Sequence, residues 1–524
     1  MSRLPSVSDP RHTLSAVRFP DIPLWQRALL AVAAGWIMDL GFPDAGWWPF
    51  TLAGLTILLF LARDLSLPKA LAVGAIAGFS YYGILITWLT VYLGIVPWLA
   101  LTLAQTALFS AGFALLALMW RVGERQWPSL AARMAYLPPA LAGVWMIREA
   151  VASVWPWGGF AWGRLAHSQA SGPALEWVAW LGTSGLSFLL AWWAALVVVA
   201  LTDRRLTRTA IATAAISGFS FLVVWPGYPV TVSDTIRVAA VQGNTDAALF
   251  STATRGDNLM DHWRVTRELY DEDVDVVIWP ENASDIDPLR YPEAATILDE
   301  VVTEMGAPLV VGTITAEADE TFNSVLLWDV PDNPGVGYAY DQYDKIHPVP
   351  FAEYLPARDF FYPLAPDLFD MVPRDYSFGE RDTVFEVAGH TAGVAICYDI
   401  VDDAIFAQMM AEGADIIFAP TNNADFGRTD QSEQQLDIAK IRAVETGRTV
   451  VNVSTVGTSA IILPDGSELV RLPTFTEGTM VESIPTTTHT TPATHLGRTL
   501  EWGVIGLGLL SLGMGWWARR RVQP

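Results

Sequence analysis

The stretch T-A-G-V-A-I-C-Y-D-I, residues 391–400, decides the reading of the C-terminal half of this chain. Ala392 to Ile396 form a short apolar run, which predicts a buried strand over 391–397. Cys397 then stands where that strand ends, a place from which a side chain can face a cleft. Tyr398 and Asp399 follow at once, polar neighbours that a core thiol would not need. Cys397 is the only cysteine in 524 residues, so it has no disulfide partner within the chain. It is either an inert buried residue or a nucleophile, and on that fact alone the inert reading leads.

Working outward, residues 227–500 alternate short β runs with helical stretches, the pattern of a layered α/β unit. Strands are expected at 235–241, 274–279, 308–311, 324–328, 391–397, 416–419, 449–453 and 460–463. Helices are expected at 257–271, 292–305, 401–412 and about 430–446, where Gln431, Gln435 and Arg442 could share a polar face. Two further motifs fall near strand ends. One is D-V-V-I-W-P-E, closing on Glu281. The other is Y-D-K-I-H-P-V-P-F-A-E-Y-L-P, which carries Lys345 and Glu353. Each residue alone reads as a routine surface ion. Together, a carboxylate, an ammonium and a thiol make a nucleophile set. The carboxylate takes the thiol proton, and the ammonium stabilises the thiolate and then an oxyanion.

The N-terminal half is of another kind. The chain is 52% hydrophobic and holds 23 Trp. Apolar runs near the roughly 20 residues needed to cross a bilayer recur near 24–41, 46–62, 69–93, 96–120, 136–154, 173–201 and 210–226. An eighth lies near 501–517. The first is read as a retained span, since no small-residue cleavage site follows it. Basic residues cluster at Arg3, Arg11 and Arg18, at Arg63 and Lys69, at Arg121, Arg125 and Arg133, at Arg204, Arg205 and Arg208, and at Arg519, Arg520 and Arg521. Odd connections are nearly free of them, Arg164 excepted. By the positive-inside rule both termini are expected in the cytoplasm and residues 227–500 outside.

Charge separates the two parts as well. Residues 227–500 hold 45 of the 55 acidic and 15 of the 32 basic residues, while the remainder is net positive. So acidic a surface speaks against a nucleic-acid partner, whose phosphates it would repel. It fits a salt-rich exterior. The use of 29 arginines against three lysines (Lys69, Lys345, Lys440) fits a genomic composition bias equally well.

With these motifs in place, the chain resembles the nitrilase superfamily, whose Glu-Lys-Cys triad matches Glu281, Lys345 and Cys397. Within it, the chain is similar to the apolipoprotein N-acyltransferase family, the membrane-embedded branch. The likeness rests on V-A-A-V-Q-G-N at 238–244, W-P-E at 279–281, F-N-S at 322–324, V-P-F-A-E-Y-L-P at 349–356, I-C-Y-D-I at 396–400 and L-P-T-F-T-E-G at 472–478. W-G-G-F-A-W at 157–162 extends it into the membrane half. The resemblance implies a multi-pass α-helical membrane domain of eight spans plus an α/β nitrilase-like αββα sandwich. The seven-span part would cover 1–226, the exoplasmic catalytic domain 227–495, and the last helix with its basic tail 496–524.

The resemblance also implies a reaction in the bacterial inner membrane. A phospholipid donates an acyl chain to Cys397 as a thioester, and the α-amine of a diacylglyceryl-apolipoprotein takes it, with no cofactor or metal. Glu353 would orient Lys345 or the incoming amine. Tyr398, Asp399 and Asn422 would support the site or bind substrate. Departures from the family pattern are Asp399 for a Glu, Asn423 for an Asp, Asp425 for an aromatic and Ala352 for a Gly. The alternatives are a membrane-anchored nitrilase-type amidase and a non-catalytic lipoprotein-binding protein.

Overall fold

The computed structural model describes residues 22–522, apart from 203–207, 225–226, 246–247, 249–253, 330–337 and 371–374. Arg3, Arg11, Arg18, Arg204 and Arg205, used for the orientation, lie outside the described residues. The first part is helical: α1 (Leu24–Asp39), α2 (Pro49–Leu61), α3 (Leu67–Leu85), α4 (Leu89–Leu93), α5 (Ile95–Gln126), α6 (Leu130–Val154), α7 (Trp177–Thr202) and α8 (Arg208–Val223). The run expected at 69–93 is divided, because the helical path is lost at Ile86. Gly94, at φ 81°, separates α4 from α5 in a conformation that a side chain would strain.

Among the described residues, α5, α6 and α7 are the three helices long and apolar enough to cross a membrane. The expected count of eight is therefore larger than length and composition alone support. Helix α2, for example, has 13 residues, short of the roughly 20 that a straight crossing takes. Charge inside this bundle is paired. Arg148 of α6 donates to the Tyr82 hydroxyl at 2.8 Å and lies 3.5 Å from Glu149. Glu149 in turn accepts from Trp145 Nε1 at 2.9 Å and the Leu165 amide at 3.1 Å.

Among the described residues, the second part contains twelve strands: β1 (Asp234–Gln242), β2 (Val276–Ile278), β3 (Leu309–Glu317), β4 (Glu320–Asp329), β5 (Tyr338–Asp344), β6 (Val384–Val387), β7 (His390–Val394), β8 (Ile416–Thr421), β9 (Val450–Ser454), β10 (Ala460–Ile462), β11 (Glu468–Arg471) and β12 (Gly478–Thr486). Between them run α9 (Asp257–Thr266), α10 (Pro292–Met305), α11 (Arg358–Phe361), α12 (Pro366–Phe369), α13 (Asp403–Ala411) and α14 (Gln431–Thr446), and α15 (Pro492–Val522) closes the chain. The eight expected strands are all present. Strands β5, β6, β11 and β12 were not expected. All four lie at sheet edges, where no continuous apolar run is needed.

Two six-stranded sheets form, in the orders β12-β1-β2-β3-β4-β5 and β11-β10-β9-β8-β7-β6. Strands β1, β2 and β3 are mutually parallel, as are β7, β8 and β9, and the flanking pairs are antiparallel. The period-2 alternation of a strand assigns the faces. Val238 and Ala240 meet Ile416, Phe418 and Val451 of the other sheet, while Ala239 and Val241 pack with Leu259 and Leu298 of α9 and α10. Ile417 and Ala419 face the opposite way, into a cluster that also contains Leu436 and Ile438 of α14 and the bundle residues Trp162 and Leu186. The layers are helix, sheet, sheet, helix, and the last helical layer rests directly on the helical bundle. Local signals end the helices. Pro292 opens α10, left-handed Gly306 closes it, and the Asp402 carboxylate caps α13 through the Ala404 and Ile405 amides.

Candidate active site

Glu281 follows β2 by three residues, Lys345 follows β5 by one, and Cys397 lies three residues beyond β7. Strand ends thus deliver all three from two facing sheets, as in open α/β folds that bind ligands at carboxyl ends of strands. The W-P-E turn is held by a close backbone approach. A Cβ at Gly312 of β3 would lie 2.3 Å from Pro280 O, so only glycine fits there. The Ser284 amide also donates to Gly312 O at 3.0 Å.

Cys397 has φ 51°. A left-handed conformation costs a non-glycine residue roughly 1–2 kcal/mol and tends to mark a functional site. The strand stops at Val394, and the turn from Cys397 to Val401 is a 3-10 helix, so the thiol leaves the sheet at a sharp bend. Asp399 braces this bend. Its Oδ2 accepts from the Ile396 amide at 3.0 Å and from the Tyr343 hydroxyl at 2.9 Å. The shorter carboxylate that replaces the family's glutamate therefore does reach backbone.

The thiol of Cys397 donates to the buried Glu281 carboxylate. Thr421 Oγ1 and the Asn422 amide contact the sulfur from the end of β8. Lys345 Nζ donates to Glu353 Oε1 at 2.9 Å and lies 3.7 Å from Glu281 Oε1. Asn323 Nδ2 joins the two carboxylates, donating to Glu281 at 2.7 Å and to Glu353 at 3.0 Å. Glu353 is fixed further by the Val349 amide at 2.6 Å.

Burial governs the electrostatics. It pushes the Cys397 thiol up to about 12, with Glu281 adding to the rise and Lys345 opposing it. Burial also raises Glu281, against the pull of Lys345. For Lys345, burial works against the charge, yet Glu353 and Glu281 outweigh it and hold the ammonium well above its ordinary range. Asp399 is pushed up to about 7 by burial. The resting arrangement is a neutral thiol poised on a carboxylate beside a permanent cation. Such a site releases a thiolate as the base accepts its proton.

Tyr398 faces the helical bundle, stacked 6.4 Å from both Phe160 and Trp162. Trp88 packs against Trp162 and Phe426, and Tyr92 against Phe426. A cleft of about 240 Å³ opens beside Tyr398 and His347, between Trp157 and Arg498 at the ends of α6 and α15. Phe351 of the Lys345 loop and Phe361 of α11 pack on Trp157, while Phe360 and Leu364 are exposed. Left-handed backbone falls at Phe351, φ 65°, and at Ala357, φ 44°, and not at Ala352.

The structure therefore gathers Glu281, Lys345, Cys397, Glu353, Tyr398, Asp399 and Asn422 around one turn. Asn422 has a structural part too, since its Oδ1 accepts from Thr455 at 2.7 Å and the Ala424 amide at 3.1 Å. Sequence reading missed Asn323, Thr421 and Gln435 as site residues. Asn323 was within reach as the centre of F-N-S. No sequence signal distinguishes the other two.

Two family descriptions match the chain: Apolipoprotein N-acyltransferase N-terminal domain over residues 34–196, and Carbon-nitrogen hydrolase over 237–492. An apolipoprotein N-acyltransferase of Mycolicibacterium smegmatis is 31% identical over 92% of this chain and 84% of its own length. One of Vibrio vulnificus is 28% identical over 95% and 98%. Among solved structures, an amidase of Nesterenkonia sp. aligns over 49% of this chain and 93% of its own, at 19% identity and a TM-score of 0.36. With that identity held across nearly its full length, the chain belongs to the apolipoprotein N-acyltransferase family.

Proposed function

We propose that the chain moves an acyl group from a phospholipid to the N-terminal amine of a diacylglyceryl-apolipoprotein through a thioester on Cys397. Family membership makes it an acyltransferase of lipoprotein maturation. The observation that carries the mechanism is the left-handed Cys397 with its thiol on Glu281, and Lys345 3.7 Å from that same carboxylate.

In the first half-reaction Glu281 accepts the thiol proton and the thiolate attacks the donor's ester carbonyl. Lys345 faces the oxyanion that forms. Collapse breaks the ester C–O bond, and Glu281 returns the proton to the departing lysolipid oxygen. In the second, the acceptor's free amine attacks the thioester and Glu281 takes one of its protons. Collapse expels the thiolate, which recovers that proton, and the amide is complete. Glu353 and Asn323 keep Lys345 and Glu281 at their working separation. The catalytic layers face the exterior of a bacterial inner membrane, and both termini face the cytoplasm. The acyl chains then reach the turn along the aromatic wall of Tyr398, Trp162 and Phe160 without leaving the lipid.

The test is Cys397→Ala in detergent with a diacylated lipopeptide acceptor. Transfer should vanish, and mass spectrometry of the wild-type chain mixed with donor alone should find one acyl group on Cys397. Full transfer by the alanine variant would end the thioester route.

A further inference from the structure

Helix α14 places a row of amides behind the catalytic turn. Gln435 is 3% exposed, and both halves of its amide are engaged. Its Nε2 donates to Cys397 O at 3.2 Å and to Thr421 Oγ1 at 2.8 Å. Its Oε1 accepts from Asn423 Nδ2 and from Gln431 Nε2, each at 2.9 Å. The Cys397 carbonyl oxygen can only accept, which fixes the end of the amide that meets it, and Asn423 Oδ1 is then left to the Ser454 hydroxyl at 2.8 Å. The network thus decides which end of Gln435 faces the site: the NH₂ end.

That polarity has a chemical consequence. A threonine hydroxyl has one proton and two lone pairs. With Gln435 donating to its oxygen, the Thr421 hydroxyl keeps its proton for another acceptor, and the group it contacts is the Cys397 sulfur. A side chain that accepted in the position of Gln435 would draw that proton away. The same amide also grips the carbonyl of a residue at φ 51°.

We propose that Gln435 is a positioning residue that aims the Thr421 hydroxyl proton at the Cys397 sulfur and holds the left-handed turn through its carbonyl. The Asn423 departure fits this role, since an amide donates to Gln435 Oε1 where a carboxylate would repel it. The proposal rests on Cys397 being the nucleophile, but its test reads the thiol directly.

Cys397 is the sole cysteine, so alkylation by iodoacetamide followed across pH reports on it alone. Gln435→Glu keeps the shape and replaces the donor with an acceptor. Thr421→Val removes the hydroxyl. Each should move the alkylation midpoint up by about one pH unit, about tenfold slower reaction below the midpoint. The double variant should move it no further than Gln435→Glu alone, and Thr421→Ser should recover most of the shift. Gln434→Leu damages an equally buried neighbour on α14, one held by Trp88 and Trp162, and should leave the midpoint in place. Gln435→Met stands in if the buried glutamate prevents folding, with the same expected direction.

An unmoved midpoint in the Gln435 variants, additive shifts in the double variant, or an equal shift in Gln434→Leu would each overturn the proposal. Failure of the function itself would be seen elsewhere, as acyl transfer retained by Cys397→Ala.

Discussion

Lys345 stands closer to Glu353 than to the carboxylate that holds the thiol, 2.9 Å against 3.7 Å. The cation is tethered by a residue eight positions along its own loop. Glu353→Gln keeps the shape and weakens the tether. Transfer should fall at least about tenfold, roughly 1.4 kcal/mol of barrier, with little change in acceptor KM. Steady-state kinetics with a fixed donor checks this, and an unchanged kcat would leave Glu353 a loop anchor only.

Lys345→Arg keeps the charge but not the compact ammonium. The guanidinium is a broad planar fork, and this side chain is only 1% exposed, with Asn323 packed against its carboxylate partners Glu281 and Glu353. Transfer should drop at least about tenfold. Wild-type turnover in the purified variant would show that only the charge matters.

Glu281→Gln removes the acceptor of the thiol proton. Burial already holds the thiol up at about 12, so it stays neutral without a base. The expected result is loss of the acyl-Cys397 intermediate itself, seen by intact-protein mass spectrometry after incubation with donor lipid. Intermediate at the wild-type level would move the base role to another group.

Asp399 supplies a pH signature. Burial raises its folded pKa to about 7, above the ordinary value of 3.8. The folded state therefore binds the proton more tightly, and the stability this contributes is lost as pH rises from about 4 through about 7. Asp399→Asn stays neutral throughout. The variant's thermal midpoint relative to wild type should climb between pH 5 and pH 8. A difference that is flat or falls over that interval would mean Asp399 is charged in the folded protein.

Orientation is open to labelling. In a Cys397→Ala background, a cysteine at Ser467, an exposed position before β11, should react with an impermeant maleimide on intact spheroplasts. One at Arg205 should not. The opposite pattern would invert the topology and separate the site from a translocated lipoprotein.

The triad and its strand-end setting were legible because they are short-range features. An apolar run ending in Cys397, or in W-P-E, says by itself where a side chain leaves a sheet. The helical bundle was legible from composition, though its number of crossings was not: Ile86 interrupts one run, and α2 is short. Lys345 as the site's cation came from its motif, and the family resemblance implied that Glu353 orients either Lys345 or the incoming amine; the fold puts Glu353 on Lys345.

What only the tertiary structure decided is which distant polar groups those residues meet. Asn323 comes from β4, Thr421 from β8 and Gln435 from α14. The polar stripe of Gln431, Gln435 and Arg442 would, on periodicity alone, face water. In the folded chain these side chains are 4%, 3% and 2% exposed. Arg442 there donates to Ile400 O at 2.9 Å and pairs with Asp403 and Glu445. Periodicity reports that a helix has two faces. Whether the polar one meets solvent or a buried site depends on partners far away in the chain. A buried amide is stable only where all its donors and acceptors are met, and that condition is set by the fold as a whole.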